Sequence, residues 1–105
     1  MQECIECQIF IGCVDPQANQ EIVSETELRE MVAAFFARKK IDFSMLNTSG
    51  GYIYSNGSFI TESSICVNII GDPDLDIIKL ARSLSMYMNQ EHVLVTRNVV
   101  QTSFC

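Results

Sequence analysis

The chain has no tryptophan, only two prolines, five glycines and one histidine, and no apolar run near the ~20 residues that a membrane span needs. Scarce proline and glycine beside 48% hydrophobic residues exclude a disordered chain. One domain over residues 1–105 is expected, long enough to bury a core. Cations are scarce as well: seven Lys and Arg against thirteen Asp and Glu leave a net charge of −6. Phosphate contact draws its affinity from cations, so this balance argues against direct nucleic-acid binding and for a protein partner with a basic surface. The first residues lack the basic stretch of a secretory signal and include Glu3 and Glu6, so a cytoplasmic location is expected. Thiols stay reduced there, and five cysteines, an odd number, suit free thiols better than a disulfide framework.

Three of those cysteines fall in "ECIECQIFIGC". Cys4-x-x-Cys7 has the spacing of a zinc knuckle, but a zinc site needs the pair on a tight turn and a second pair elsewhere. Here the second cysteine begins an apolar run of strand length. A separation of three within a strand points two side chains to opposite faces. Cys7 and Cys13 share a face, but six residues of strand hold them ~20 Å apart. The cysteines are therefore read as small packing residues, and neither a metal nor a cofactor is expected.

Ser24 followed by Glu27 forms a capping box ahead of Leu28, Met31, Val32, Phe35 and Phe36, one apolar helical stripe. Early glutamates and late Arg38, Lys39 and Lys40 match the helix dipole. A half-buried strand over residues 41–47 follows. Asn56-Gly57 predicts a two-residue hairpin turn pairing Tyr54 with Phe59 and Ile53 with Ile60, with Gly50-Gly51 as a bulge. Asp72-Pro73 predicts the start of a second helix whose stripe is Ile77, Ile78, Ala81, Leu84 and Met88. "HVLVTRNVVQTSF" is the last strand. The order β-α-β-β-α-β predicts an α+β, ferredoxin-like sandwich: a four-stranded antiparallel sheet with two helices on one face.

No catalytic residue is expected. His92 stands at a helix-to-strand junction with no adjacent nucleophile, and reads as a surface histidine. "CVDPQANQ" is no glycine-rich phosphate loop with an arginine, and residue 2 is not the proline of a tautomerase. "IFIG" resembles the first RNA-binding strand of this fold, but the strand that should carry the second signature has Phe59 alone and includes Glu62. One surface is expected to bind a protein partner. Glu21, Glu25 and Glu27 gather with Glu91 at the pole that also receives the hairpin tyrosines Tyr52 and Tyr54, while the basic end of the first helix meets the acidic start of the second. A second surface is the uncovered sheet face around Phe10, Glu62 and Cys66, open to a ligand or to a homodimer partner.

From "GGYIYSNGSFITESS" the pattern resembles an uncharacterised bacterial family of small ferredoxin-like domains. Gly51-Tyr52, Asn56-Gly57, Glu62 and Ser63 match its glycine-aromatic pair, turn, and acidic-serine strand, and "NQEHVLV" matches its entry to the last strand. In size and charge alone the chain is also similar to phage and mobile-element inhibitors of host nucleases, including the anti-CRISPR proteins. The functional expectation is a non-enzymatic, acidic interaction module that inhibits a basic nucleic-acid-handling effector such as a CRISPR nuclease. The alternative is a small-molecule-binding or enzymatic ferredoxin-like dimer that uses the open sheet face.

Overall fold

The computed structural model describes residues 1–12, 14–15, 20–21, 24–53, 55–89 and 93–105, with the backbone alone at 14, 15, 20, 21, 52, 60 and 62. Its elements are β1 (Gln2–Gly12), β2 (Val14–Asp15), β3 (Gln20–Glu21), α1 (Glu25–Lys39), β4 (Ser44–Ile53), β5 (Phe59–Gly71), α2 (Ile77–Tyr87) and β6 (Leu94–Thr102). The four long strands form one antiparallel sheet in the order β4-β5-β1-β6, so β1 is central. β2 and β3 make a separate two-stranded ribbon. This is the β-α-β-β-α-β arrangement expected of a ferredoxin-like sandwich.

Strict alternation builds the core. Ile5, Cys7, Ile9 and Ile11 of β1 are fully buried, and the register sets them beside Ile65, Val67 and Ile69 of β5. Leu28, Val32, Phe35 and Phe36 of α1 close over this side, joined by Ile77, Leu80, Ala81, Leu84 and Met88. Ser24 caps α1, its Oγ accepting from the Glu27 amide at 3.1 Å. Lys40 ends the helix in the left-handed region (φ 57) and donates its amide to the Ala37 carbonyl.

The structure corrects several local expectations. α2 starts four residues later than Asp72-Pro73 suggests, because Asp76 is the cap and its Oδ1 accepts from the Lys79 amide. That shift turns Ile78 outward, 51% exposed, and brings Leu80 into the stripe. The hairpin register is displaced by one residue: Ile53 pairs with Phe59 and Tyr52 with Ile60, and residues 55–58 stand outside the ladder. Only Gly57 has positive φ among them, and the Asn56 side chain accepts from the Ser58 amide, so the two-residue turn with two positive-φ positions does not form. Gly50 and Gly51 lie in continuous register rather than in a bulge. Gly51 has a different purpose: the Phe59 ring lies over it, and a Cβ there would collide with the ring carbons. Finally, the last turn of α1 meets the last turn of α2, not its acidic start. Phe35 packs on Tyr87 at 5.6 Å, and the Arg38 guanidinium lies 4.9 Å from the Tyr87 ring centre. No helix is long and apolar enough to cross a membrane among the described residues.

Candidate functional site

Cross-strand register defines the face that the helices leave open. Leu46 stands opposite Cys66, Cys66 opposite Phe10, and Phe10 opposite Leu94, one row across all four strands. The outer members are largely exposed, Leu46 at 58% and Leu94 at 63%, Phe10 is half-buried and Cys66 is buried. The neighbouring row is polar: Ser44, Asn68, Gln8 and Thr96. Thr96 donates to Gln8 Oε1 at 3.5 Å, whereas the buried Asn68 Oδ1 accepts no hydrogen bond among the described residues. One row the other way, the Thr48 and Ser64 hydroxyls bond to each other.

The thiols of this region are poorly suited to attack. Burial pushes Cys66 above the ordinary thiol range, and the nearby Glu6 carboxylate pushes it further. Cys7, on the helix side, is raised chiefly by burial and also by Glu6, with Arg97 pulling it partly back. Both stay neutral at physiological pH, as small packing residues do. Cys4 belongs to the open side, confirming that it and Cys7 point apart. Thr102 Oγ1 donates to the Gln2 carbonyl at 3.3 Å, which leaves the Cys4 thiol to donate to Thr102 Oγ1 at 3.3 Å. Cys4, Thr102 and Ile70 line a cleft of about 720 Å³ at the end of the open face, walled further by Asp72 and Phe104. Ligand clefts commonly hold ~300–1,000 Å³.

The second expected surface, the acidic pole with its tyrosines, is only partly visible. Glu25 is half-buried and Glu27 exposed in the first turn of α1. Glu21 lies in β3 and Tyr52 in β4, with backbone alone described, and Tyr54, Glu91, Cys13 and His92 fall outside the described residues. Of the open-face set, Phe10 and Cys66 are cross-strand neighbours, while Glu62 pairs with Gly50 beyond the end of β1, with its backbone alone described. Cys66 is on the expected face but is closed off from solvent, so it offers no accessible thiol. Sequence reasoning missed Leu46, Leu94 and the cleft. The apolar signal was present in the strands, but only the long-range register places those residues in one row. Among the described residues, no group of three His, Cys, Asp or Glu could hold a metal ion.

No protein-family model matches the chain, and no curated protein matches it. Solved structures do. A phage SAM lyase in complex with S-methyl-5'-thioadenosine superposes with a TM-score of 0.61 and 23% identity, covering 90% of this chain and 80% of that one. A phage SAM lyase in the apo state gives a TM-score of 0.69 at 23% identity, covering 92% and 81%. The fold is shared with an enzyme. That finding overturns the expectation of a non-enzymatic inhibitor of a nucleic-acid-handling effector and favours the alternative, a small-molecule-binding or enzymatic ferredoxin-like domain.

Proposed function

We propose that the chain binds an adenosyl thioether or sulfonium compound and acts on it as an enzyme. The observation that carries this reading is the fold likeness, over nine-tenths of the chain, to a lyase solved with S-methyl-5'-thioadenosine. Two features of the chain agree with it. The cleft beside Ile70 and Phe104 has room for a nucleoside, with apolar wall for a purine and the Asp72 carboxylate for hydroxyls or a cation. The net charge of −6 favours the approach of a cationic sulfonium over an anionic ligand. With the Cys7 and Cys66 thiols held neutral, catalysis by these two as nucleophiles is not part of the reading. The chemistry is assigned to binding, orientation and field.

Incubation of the purified chain with S-adenosylmethionine tests the enzymatic part. S-Methyl-5'-thioadenosine, followed by liquid chromatography, is expected to accumulate beyond one equivalent per chain and above a heat-denatured control. Product formation equal to the control, at equimolar protein over a day, removes the enzymatic reading.

A further inference from the structure

The open sheet face is poor in charge for so acidic a chain. Among the described side chains of its strands the one acidic or basic residue is Glu6, opposite Ile70 and Asn98, and Asp72 stands in the cleft at its end. Across its middle runs the row Leu46, Cys66, Phe10, Leu94, two members of which are more than half exposed. Beside that row lies Asn68, whose buried Oδ1 accepts no bond among the described residues. Strands of a sheet with one solvated face ordinarily alternate apolar residues toward the core with charged or polar residues toward water. A face with apolar residues at its centre and, among its described side chains, no row of carboxylates has the composition of a surface meant to be covered.

We propose that a second copy of this chain covers it. Two arguments select that occupant. First, each chain carries −6, so close approach of two copies is tolerable only where carboxylates are sparse, and the described side chains of this face meet that condition. Among the described side chains of the strands, a basic protein partner would find only Glu6 on this face to steer it, with Asp72 at its end. Second, the size suits a stable pair. Level with Cys4 to Gly12 of β1 lie Ser64 to Gly71 of β5, Leu94 to Val100 of β6 and Ser44 to Thr48 of β4, and at ~3.3 Å by ~4.8 Å per residue these stretches span roughly 450 Å² in plan. Pleat and side chains raise the accessible area toward the ~800 Å² per partner of a standard interface. Two such sheets stack about 10 Å apart with strands within about 30° of alignment, so Phe10 and the two leucines of each copy interdigitate at the centre. Asn68 Oδ1 then lies at the seam, within the polar row that the second copy faces. This inference does not depend on the ligand reading, because association and ligand binding are measured separately.

Size-exclusion chromatography with light scattering of the full chain at about 50 μM gives the answer. The expected mass is a multiple of 11.8 kDa, twice that for the pair. Leu46→Glu with Leu94→Glu should weaken association by about 100-fold or more, because each copy would bury unpaired carboxylates against the other. Both sites are exposed in one chain, so the variant is expected to keep its circular dichroism and a cooperative melt. Ile78→Glu, equally exposed but on α2, should leave the assembly unchanged. A wild-type mass of a single chain overturns the proposal, as does an assembly that the double substitution leaves intact or that Ile78→Glu dissociates equally well.

Discussion

Phe36→Ala should lower the free energy of unfolding by about 3–5 kcal/mol, the largest loss expected from a single truncation in this chain. Phe36 is fully buried and is the bulkiest side chain in that condition among the described residues. Its ring meets Phe35 edge-on at 5.2 Å and stacks near Phe43 at 5.0 Å and 26°. It therefore ties α1 to the segment that enters β4, over a sheet floor of isoleucines and valine. Truncation removes the transfer energy of a benzyl group and leaves a void that neighbours in regular helix and strand cannot collapse to fill. Small domains have only about 5–15 kcal/mol in total, so the midpoint of thermal unfolding should fall by roughly 15–30 °C. Urea titration followed by circular dichroism measures it. A loss under about 1 kcal/mol would mean that the core lies elsewhere than between α1 and the sheet.

The second large effect concerns thiol reactivity. A cysteine reacts as its thiolate and only where reagent can reach it. Cys105 is exposed, whereas Cys7 and Cys66 are closed off and held neutral by burial, with Glu6 adding to both and Arg97 offsetting part of the effect at Cys7. Labelling of the buried pair has to wait for unfolding. At about 5 kcal/mol of stability the wait slows modification by roughly a thousandfold or more relative to Cys105. Iodoacetamide pulses at pH 7.5 with peptide mass spectrometry resolve the sites. Comparable rates at Cys66 and Cys105 would place Cys66 in solvent and dismantle the row on the open face. The same shifts fix a sign for alkaline stability. A thiol whose folded pKa exceeds its unfolded value contributes fully below the unfolded pKa, about 8.5, and that contribution is lost as pH rises through the folded value. Unfolding should become easier above about pH 8.5.

How much of this was legible in the sequence follows from the range of each interaction. α1 was legible because its cap and stripe are local: Ser24, Glu27, Leu28, Val32, Phe35 and Phe36 occupy the predicted positions. The central place of β1 and the outward turn of Phe10 followed from strand alternation and topology. α2 misled because two aspartates could each cap it, and the carbonyl of Asp72 instead accepts from the Leu75 amide in a preceding turn while Asp76 starts the helix. The hairpin slipped by one residue because Phe59 takes its place over Gly51 rather than opposite Tyr54. The functional reading failed for a further reason. Net charge is a sum over the surface and names no site, whereas the row from Leu46 to Leu94 exists only once four strands, distant in sequence, are set in register.

The measurement that bears most directly on the central claim is calorimetric titration of the purified chain with S-methyl-5'-thioadenosine at low ionic strength, with adenosine 5'-monophosphate as the anionic control. Saturable binding of the thioether in the micromolar range is expected, at a fixed ratio to the chain, with the nucleotide binding at least ~10-fold more weakly because its phosphate opposes an acidic surface. Absence of saturable heat for the thioether up to millimolar concentration, with the chain folded and melting cooperatively, would contradict it.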